Sequence, residues 1–317
     1  MTDIRLPLGG VNFSVRVAIL CVRDGQLLTN TGVDDQGLPF WFPLGGALAT
    51  DQDALTSAGR EWAEETGWPA RPLALAGIAE SHFVKNAAPH HELSFYFRMD
   101  TPAGFPTEPF NVLDDERFIC KWLSLTALGS RPRLEAQVQA MLAAQPGTLA
   151  HVVQREDTMG RLPEPTDIRL PLGGLKFSVR VAILCVRGDL LLTNSADGLN
   201  FHFLPGGALS TGETTLECAR REWQEETGTR PGLLRLVGLI ENFFGPPHRR
   251  QHEIGFYYRM DAPAELPDEP FTVRDNEEVT CQWMPVSKFG QTPVYPLVAA
   301  QLLDVPDGEI RHIVNWE

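Results

Sequence analysis

Residues 207–229 read GALSTGETTLECARREWQEETGT, and within them residues 213–227 are good helix formers that close on Gly228, a fitting C-terminal cap. At about 100° per residue, Glu222, Glu225 and Glu226 fall at about 0°, 300° and 40°, so three carboxylates share one face. Leu216 and Trp223 lie near 120° and 100°, roughly one stripe beside the acids, and that stripe can pack on a sheet. Three like charges this close cost stability unless cations neutralise them. All-oxygen ligands suit Mg²⁺ or Mn²⁺ rather than zinc, so a hard divalent metal site is expected.

The flanks of this helix are strand-like. SVRVAILCVR, a Gly-containing turn and LLLTN read as a hairpin, and LLRLVGLIENFF, HEIGFYYRM and VTCQWMPV read as further strands. An apolar pattern around residues 295–303 predicts a closing helix. The expected class is α+β, a mixed sheet packed with helices in an α/β/α sandwich.

The same organisation is written twice. DIRLPLGGVNFSVRVAILCVR, beginning at Asp3, returns 164 positions later as DIRLPLGGLKFSVRVAILCVR, beginning at Asp167. Further on the offset is 161, pairing Gly46 with Gly207, Glu80 with Glu241, Trp122 with Trp283 and His151 with His312, so the second copy has lost three loop residues. A repeat this long is a whole domain copied once. Charge, Gly and Pro in residues 154–166 interrupt any apolar periodicity and place the join near Arg161, giving domains 1–160 and 161–317.

Composition narrows the function. The 317 residues carry 27 Lys+Arg against 41 Asp+Glu, a net charge of −14, which opposes generic binding to nucleic acid or an anionic membrane. No apolar run is long enough to span a bilayer, and MTDIRLPLGG has neither the basic nor the apolar part of an export leader, so a cytoplasmic protein is expected. Cys21, Cys120, Cys185, Cys218 and Cys281 include no CxxC pair and are expected to be reduced and buried.

The spacing of Gly207, Glu213, Arg221, Glu222, Glu225, Glu226 and Gly228 resembles the Nudix box, G-x5-E-x7-R-E-U-x-E-E-x-G-U with U apolar. Only Thr229 departs. The resemblance extends over essentially all of each half and identifies a tandem Nudix hydrolase of the MutT-like superfamily. It implies metal binding by Glu222, Glu225, Glu226 and the loop at Gly207, with Glu222 alternatively serving the attacking water. It further implies that Glu213 orients Arg221, which pairs with box acids.

In the first copy Gly46, Arg60, Glu61, Glu64, Glu65 and Gly67 occupy the matching positions, but Gln52 replaces the first Glu, and Pro43 stands one residue earlier than Pro205. The second site is therefore expected to be the stronger. One more acid commonly follows in this family, and Glu116 and Glu277, each six residues before a Trp, are the candidates, with Glu278 near.

Weaker repeated features are read as structural. Arg16 and Arg180 begin the first long strand and suit a strand edge, the alternative being an inward cation that meets phosphate; His91-Glu92 and His252-Glu253 start strands and suit turn hydrogen bonding there; Phe83, Phe243 and Phe244 suit core or rim packing, the alternative being a stack on a base.

The resemblance implies Mg²⁺-dependent (or Mn²⁺-dependent) hydrolysis of a pyrophosphate bond in a nucleoside diphosphate derivative. Compact domains without a long insertion favour nucleoside triphosphates. The alternatives are an active second domain braced by a degraded first one and acting on ADP-ribose or nucleotide sugars, and a non-catalytic nucleotide sensor. The expected partner is a small-molecule nucleotide, with the halves forming an internal pseudo-dimer and a further homodimer open.

Overall fold

Runs of Val, Ile, Leu and Phe put most of the chain into strands, whose branched and aromatic side chains pack well on a pleated surface. The computed structural model describes residues 2–34, 37–129, 132–145, 147–156, 164–289 and 291–317. They fall into two units, Met1–Pro163 and Glu164–Glu317. The join expected near Arg161 lies in residues 157–163, outside the described ones.

In chain order the first unit has β1 (Arg5–Leu8), β2 (Val11–Arg23), β3 (Gln26–Val33), β4 (Pro39–Pro43), α1 (Ala54–Thr66), β5 (Leu73–Lys85), β6 (Ala88–Met99), β7 (Phe110–Asn111), β8 (Ile119–Ser124), α2 (Pro132–Ala143) and β9 (Ala150–Arg155). Its sheet runs β7-β8-β3-β2-β6-β5-β9, with β1 added to β2 and β4 to β3. The β2–β6 and β5–β9 pairs are parallel and the others antiparallel, so the sheet is mixed.

Strand β2 serves both faces. Val11, Phe13, Val15, Val17 and Ile19 are buried on one, where α1 packs through the fully buried Trp62. Ala18 and Leu20 point the other way, into a core with Val138 and Met141 of α2. Each such side chain taken fully out of water contributes about 1.5–3 kcal/mol. Helix, sheet and helix are thus layered, as the α+β reading requires.

The second unit repeats this with β10 (Arg169–Leu172), β11 (Leu175–Arg187), β12 (Leu190–Ala196), β13 (His202–Phe203), α3 (Thr215–Thr227), β14 (Arg235–Phe244), β15 (Gln251–Asp261), β16 (Phe271–Val273), β17 (Asn276–Pro285), β18 (Val294–Tyr295) and β19 (Arg311–Trp316). Its order is β16-β17-β12-β11-β15-β14-β19. The closing helix expected here is instead a short 3-10 segment, Leu297–Leu302, whose Ala299 and Leu302 meet Ala182 and Leu184. Pro296 and Pro306 bracket too little chain for an α-helix, whereas the stretch of α2 runs from Pro132 to Pro146.

The His pair also needs correction. His91 and His252 lie near the starts of β6 and β15 as expected, but what holds them is packing rather than turn hydrogen bonding: both are fully buried with Phe13 and Phe177 edge-on to their rings. Their strands begin earlier than the sequence pattern indicates. All five cysteines are free and buried, and burial raises their thiols. Among the described residues, no helix is long and apolar enough to cross a membrane.

Candidate active site

Helix α3 starts two residues later than the carboxylate run predicts, because Thr214 caps it and exchanges hydrogen bonds with Glu217 in a capping box. Glu213 is thereby left outside the helix, where its carboxylate accepts from Ser210 N at 2.8 Å. Gly228 ends the helix in the left-handed conformation, φ 70°. Asp53 and Gly67, φ 74°, do the same for α1.

Arg221 organises the second box. Its Nε and Nη2 fork onto Glu213 at 3.0 and 2.6 Å, Nη1 donates to Glu222 and Glu225 at 2.7 and 3.0 Å, and Nη2 also reaches Ala208 O at 3.1 Å. The hydrogen bonds it donates to Glu213 lead the causes that raise the guanidinium pKa further, so it is a permanent cation. Glu226 turns inward. It accepts from Gly206 N at 3.2 Å and from Asn194 Nδ2 at 3.4 Å.

The first box keeps this network with one change. Arg60 donates to Gln52 Oε1 at 3.2 Å, Glu64 at 2.7 Å and Ala47 O at 3.4 Å, and pairs with Glu61 at 2.8 Å. Glu65 accepts from Gly45 N at 2.9 Å and Asn30 Nδ2 at 2.6 Å. Gln52 still orients the arginine but does not take the amide that Glu213 takes. Ser57, which stands where the second copy has Cys218, fills that role: Ala49 N donates to Ser57 Oγ at 3.5 Å, and Ser57 Oγ to Gln52 at 3.1 Å. Two substitutions thus compensate, one in the loop and one in the first turn of α1.

The moved proline leaves the loop path unaltered. Ile19 N donates to Leu44 O and Ile183 N to Pro205 O, both at 2.8 Å, and Val17 and Val181 donate to Gly46 O and Gly207 O at 3.0 and 2.9 Å. Gly45 and Gly206 sit at φ 124° and 129° with Val17 O and Val181 O each 2.2 Å from where a Cβ would stand, so only glycine fits. At Gly46 and Gly207 a Cβ would come within 2.2 and 2.3 Å of the Glu61 and Glu222 carboxylates. Those acids therefore lie directly against the loop.

Burial raises all four inner carboxyls. Glu65 is pushed up to about 8 and Glu226 to about 7, and Glu61 and Glu222 are raised as well. In each case loss of water is the leading cause, partly offset by the N–H or guanidinium donors just described. The site holds more negative charge than its arginine offsets. Among the described residues, no three His, Cys, Asp or Glu side chains converge tightly enough to cage an ion unaided, since the arginines bridge the acids. The donor set nevertheless fits a hard divalent cation: carboxylate oxygens, a glycine carbonyl with a second lone pair, and uncompensated charge.

A cleft of about 1280 Å³ opens over the first box. Gly45, Gly46, Arg60, Glu61, Glu64 and Glu65 line it. Of the follow-on acids, Glu116 is exposed and is not among the lining residues, whereas Asp114 and Asp115 are. Asp114 is also felt by Glu65, while Asp115 is tied to Arg117 at 2.5 Å. Asp114 is exposed as well, so these acids differ in their place along the cleft rather than in burial. Glu277 and Glu278 lie exposed on β17.

Sequence reasoning missed two pairs of residues. Asn30 and Asn194 hold the buried acids, and their signal was the LLTN string common to both copies. Arg16 and Arg180, read as surface groups, instead hold the glycine loops, through Gly45 O at 3.4 Å and through Leu204 O and Gly206 O at 3.0 and 3.2 Å.

A family model described as the NUDIX domain matches residues 12–145 and 176–304. A protein of Mycobacterium tuberculosis (strain CDC 1551 / Oshkosh) named for the mutator MutT4 is 34% identical over 93 residues, 29% of this chain; the chain spans 36% of that relative's length. Among solved structures, a mutator MutT protein from Bacillus halodurans is 18% identical with a TM-score of 0.33, covering 43% of this chain and 89% of its own. A MutT NUDIX hydrolase from Burkholderia pseudomallei is 18% identical with a TM-score of 0.33, covering 40% and 96%.

Proposed function

The chain belongs to the Nudix family, and from that premise we propose that both halves are divalent-metal-dependent hydrolases of pyrophosphate linkages in nucleoside diphosphate derivatives, with nucleoside triphosphates the default substrates. One observation carries this reading. In each half two buried carboxylates of one helix, Glu61 with Glu65 or Glu222 with Glu226, lie against a glycine loop, the outer one paired with the box arginine and the inner one held by a backbone N–H and an Asn amide. Glu61, Glu64, Glu65 and Gly46 would hold Mg²⁺ in the first half, and Glu222, Glu225, Glu226 and Gly207 in the second. Bound there, the ion supplies charge neutralisation on the phosphate oxygens.

The remaining work falls to the chain. Arg60 and Arg221 fix the rotamers of the outer acids through their forks, and Gln52 or Glu213 fixes the arginine. Gly45 and Asn30, or Gly206 and Asn194, anchor the innermost acid. Glu222 and Glu226 are shifted toward the pH at which a carboxylate accepts a proton from water. Among the acids of the first site, Asp114 replaces Glu116.

The test is a Mg²⁺-dependent turnover screen over nucleotides with wild type, Glu65→Gln, Glu226→Gln and the double variant. Activity lost only in the double variant is expected. Loss in Glu226→Gln alone makes the first half a brace, and binding without turnover makes the chain a sensor.

A further inference from the structure

The cleft over the first box is larger than the roughly 300–1,000 Å³ of ordinary small-molecule pockets. It is also aromatic at two places. On β4 and just before β8, Phe40, Phe42 and Phe118 form a half-buried wall. Phe40 and Phe42 are 6.0 Å apart at 21°, and Phe118 stands edge-on to them at 6.0 and 5.1 Å. The wall depends on Gly32, which pairs with Phe40 across the strands; a Cβ there would lie 2.9 Å from Phe118 and 3.4 Å from Phe40. In the second copy Ala196 and Val279 occupy the places of Gly32 and Phe118, and Phe201 packs against Tyr295 at 5.2 Å instead.

The second aromatic place is a layered stack. The Arg133 guanidinium lies 3.6 Å over Phe83, and Phe83 is parallel to His90 at 5.0 Å and 13°. All three line the cleft, and Arg133 Nη1 is buried without a hydrogen-bond partner. At these positions the second copy has Val294, Phe244 and Gln251.

The box acids fall between the two platforms. On one side, Phe42 pairs with Asn30, whose amide holds Glu65. On the other, Arg16 holds Gly45 O, and β2 runs back four residues, about 13 Å at strand rise, to Asn12 beside His90. Phosphate chemistry thus sits in the middle with a stacking surface at each end. Aromatic and guanidinium planes both accept bases in this way.

We propose that the first half takes a substrate with two planar heterocycles, one on either side of the scissile phosphoanhydride: a dinucleotide joined through its phosphates. The proposal rests on the hydrolase reading of the box. Water adds across one P–O–P bridge: its oxygen bonds to one phosphorus, the P–O bond from that phosphorus to the bridging oxygen breaks, and that oxygen leaves on the other nucleotide. The two protons of the water pass to the two phosphate products or to the medium.

The experiment uses the full chain with Glu226→Gln silencing the second box, and compares diadenosine polyphosphates with ADP and ATP. The dinucleotides are expected to show at least about tenfold higher kcat/KM. Phe118→Ala and His90→Ala should each raise their KM about tenfold with kcat less affected, while a mononucleotide responds to only one of the two. Equal use of mononucleotides, or no KM change in either variant, overturns the proposal and leaves the hydrolase reading standing. If no nucleotide is turned over, the hydrolase reading falls. Calorimetric binding of a methylene-bridged dinucleotide then decides the cleft by itself: about tenfold weaker binding in both variants supports two platforms, and unchanged binding refutes them. Phe118→Leu, which retains apolar volume, separates loss of stacking from loss of fold.

Discussion

Replacing Glu65 by Gln tests the electrostatics of the first box. Folding moves this carboxyl from its ordinary value of 4.5 to about 8, so between these pH values the folded chain binds more protons than the unfolded one. Stability is therefore fully present below the lower value and is lost as pH rises through the upper one. At about 1.4 kcal/mol per pH unit, ionising Glu65 costs on the order of 5 kcal/mol, of which about 3 kcal/mol has accrued by pH 7. The amide removes that cost but brings another. Its NH₂ meets either the Gly45 N–H or the Asn30 NH₂, donor against donor, until the Asn30 amide turns over to offer its unpartnered Oδ1, so the amide carries a pH-independent loss on the order of 1 kcal/mol. The two stability curves should therefore cross: in chelator, Glu65→Gln is the weaker protein at pH 5 and the stronger at pH 8. Urea unfolding from pH 5 to 8.5, compared between the two chains so that the second unit cancels, measures this. Parallel curves, or a wild type that strengthens toward pH 8 relative to the variant, refute the reasoning. Saturating Mg²⁺ should flatten the wild-type slope, because the cation favours the ionised form.

Gly207→Ala places a methyl group 2.3 Å from the Glu222 carboxylate and should lower turnover at the second site by tenfold or more, on the order of 1.4 kcal/mol or above in activation free energy, with little change in the urea midpoint. Ser57→Ala breaks the relay from Ala49 N to Gln52 and should cost about 1–2 kcal/mol, a loss that added Gln52→Glu restores by accepting the amide directly, as Glu213 does. Arg221→Lys cannot both fork onto Glu213 and bridge Glu222 with Glu225, so metal affinity or activity at the second site should fall roughly 10–100-fold, read from Mg²⁺ titrations of turnover.

The box was legible because its information is local. Glu222, Glu225 and Glu226 meet through helical periodicity, Gly228 marks the stop, and the duplicated string exposes two domains without any knowledge of contacts. The compensation of Gln52 by Ser57 was less visible, since neither residue points to the other until the loop brings Ala49 N between them. The pattern pointed to Glu116 as the acid of the turn, whereas Asp114 and Asp115 are the acids of that turn that line the cleft, a difference set by how the turn is placed against the sheet.

Sequence by itself determined the duplication, which string comparison exposes without any contact, and the helix with its acids, because those residues lie within a few turns of one another, while the spacing of that one segment carried the resemblance to the Nudix box. Only tertiary structure decided that Arg16 grips the glycine loop, that Asn30 holds Glu65, and that Phe40, Phe118, Phe83 and His90 line one cleft. These residues come from β2, β3, β4, β5, β6 and the turn before β8. Strand register, fixed by long-range hydrogen bonds and by which face is buried, sets who meets whom across a sheet, and a shift of one residue would turn each side chain to the opposite face.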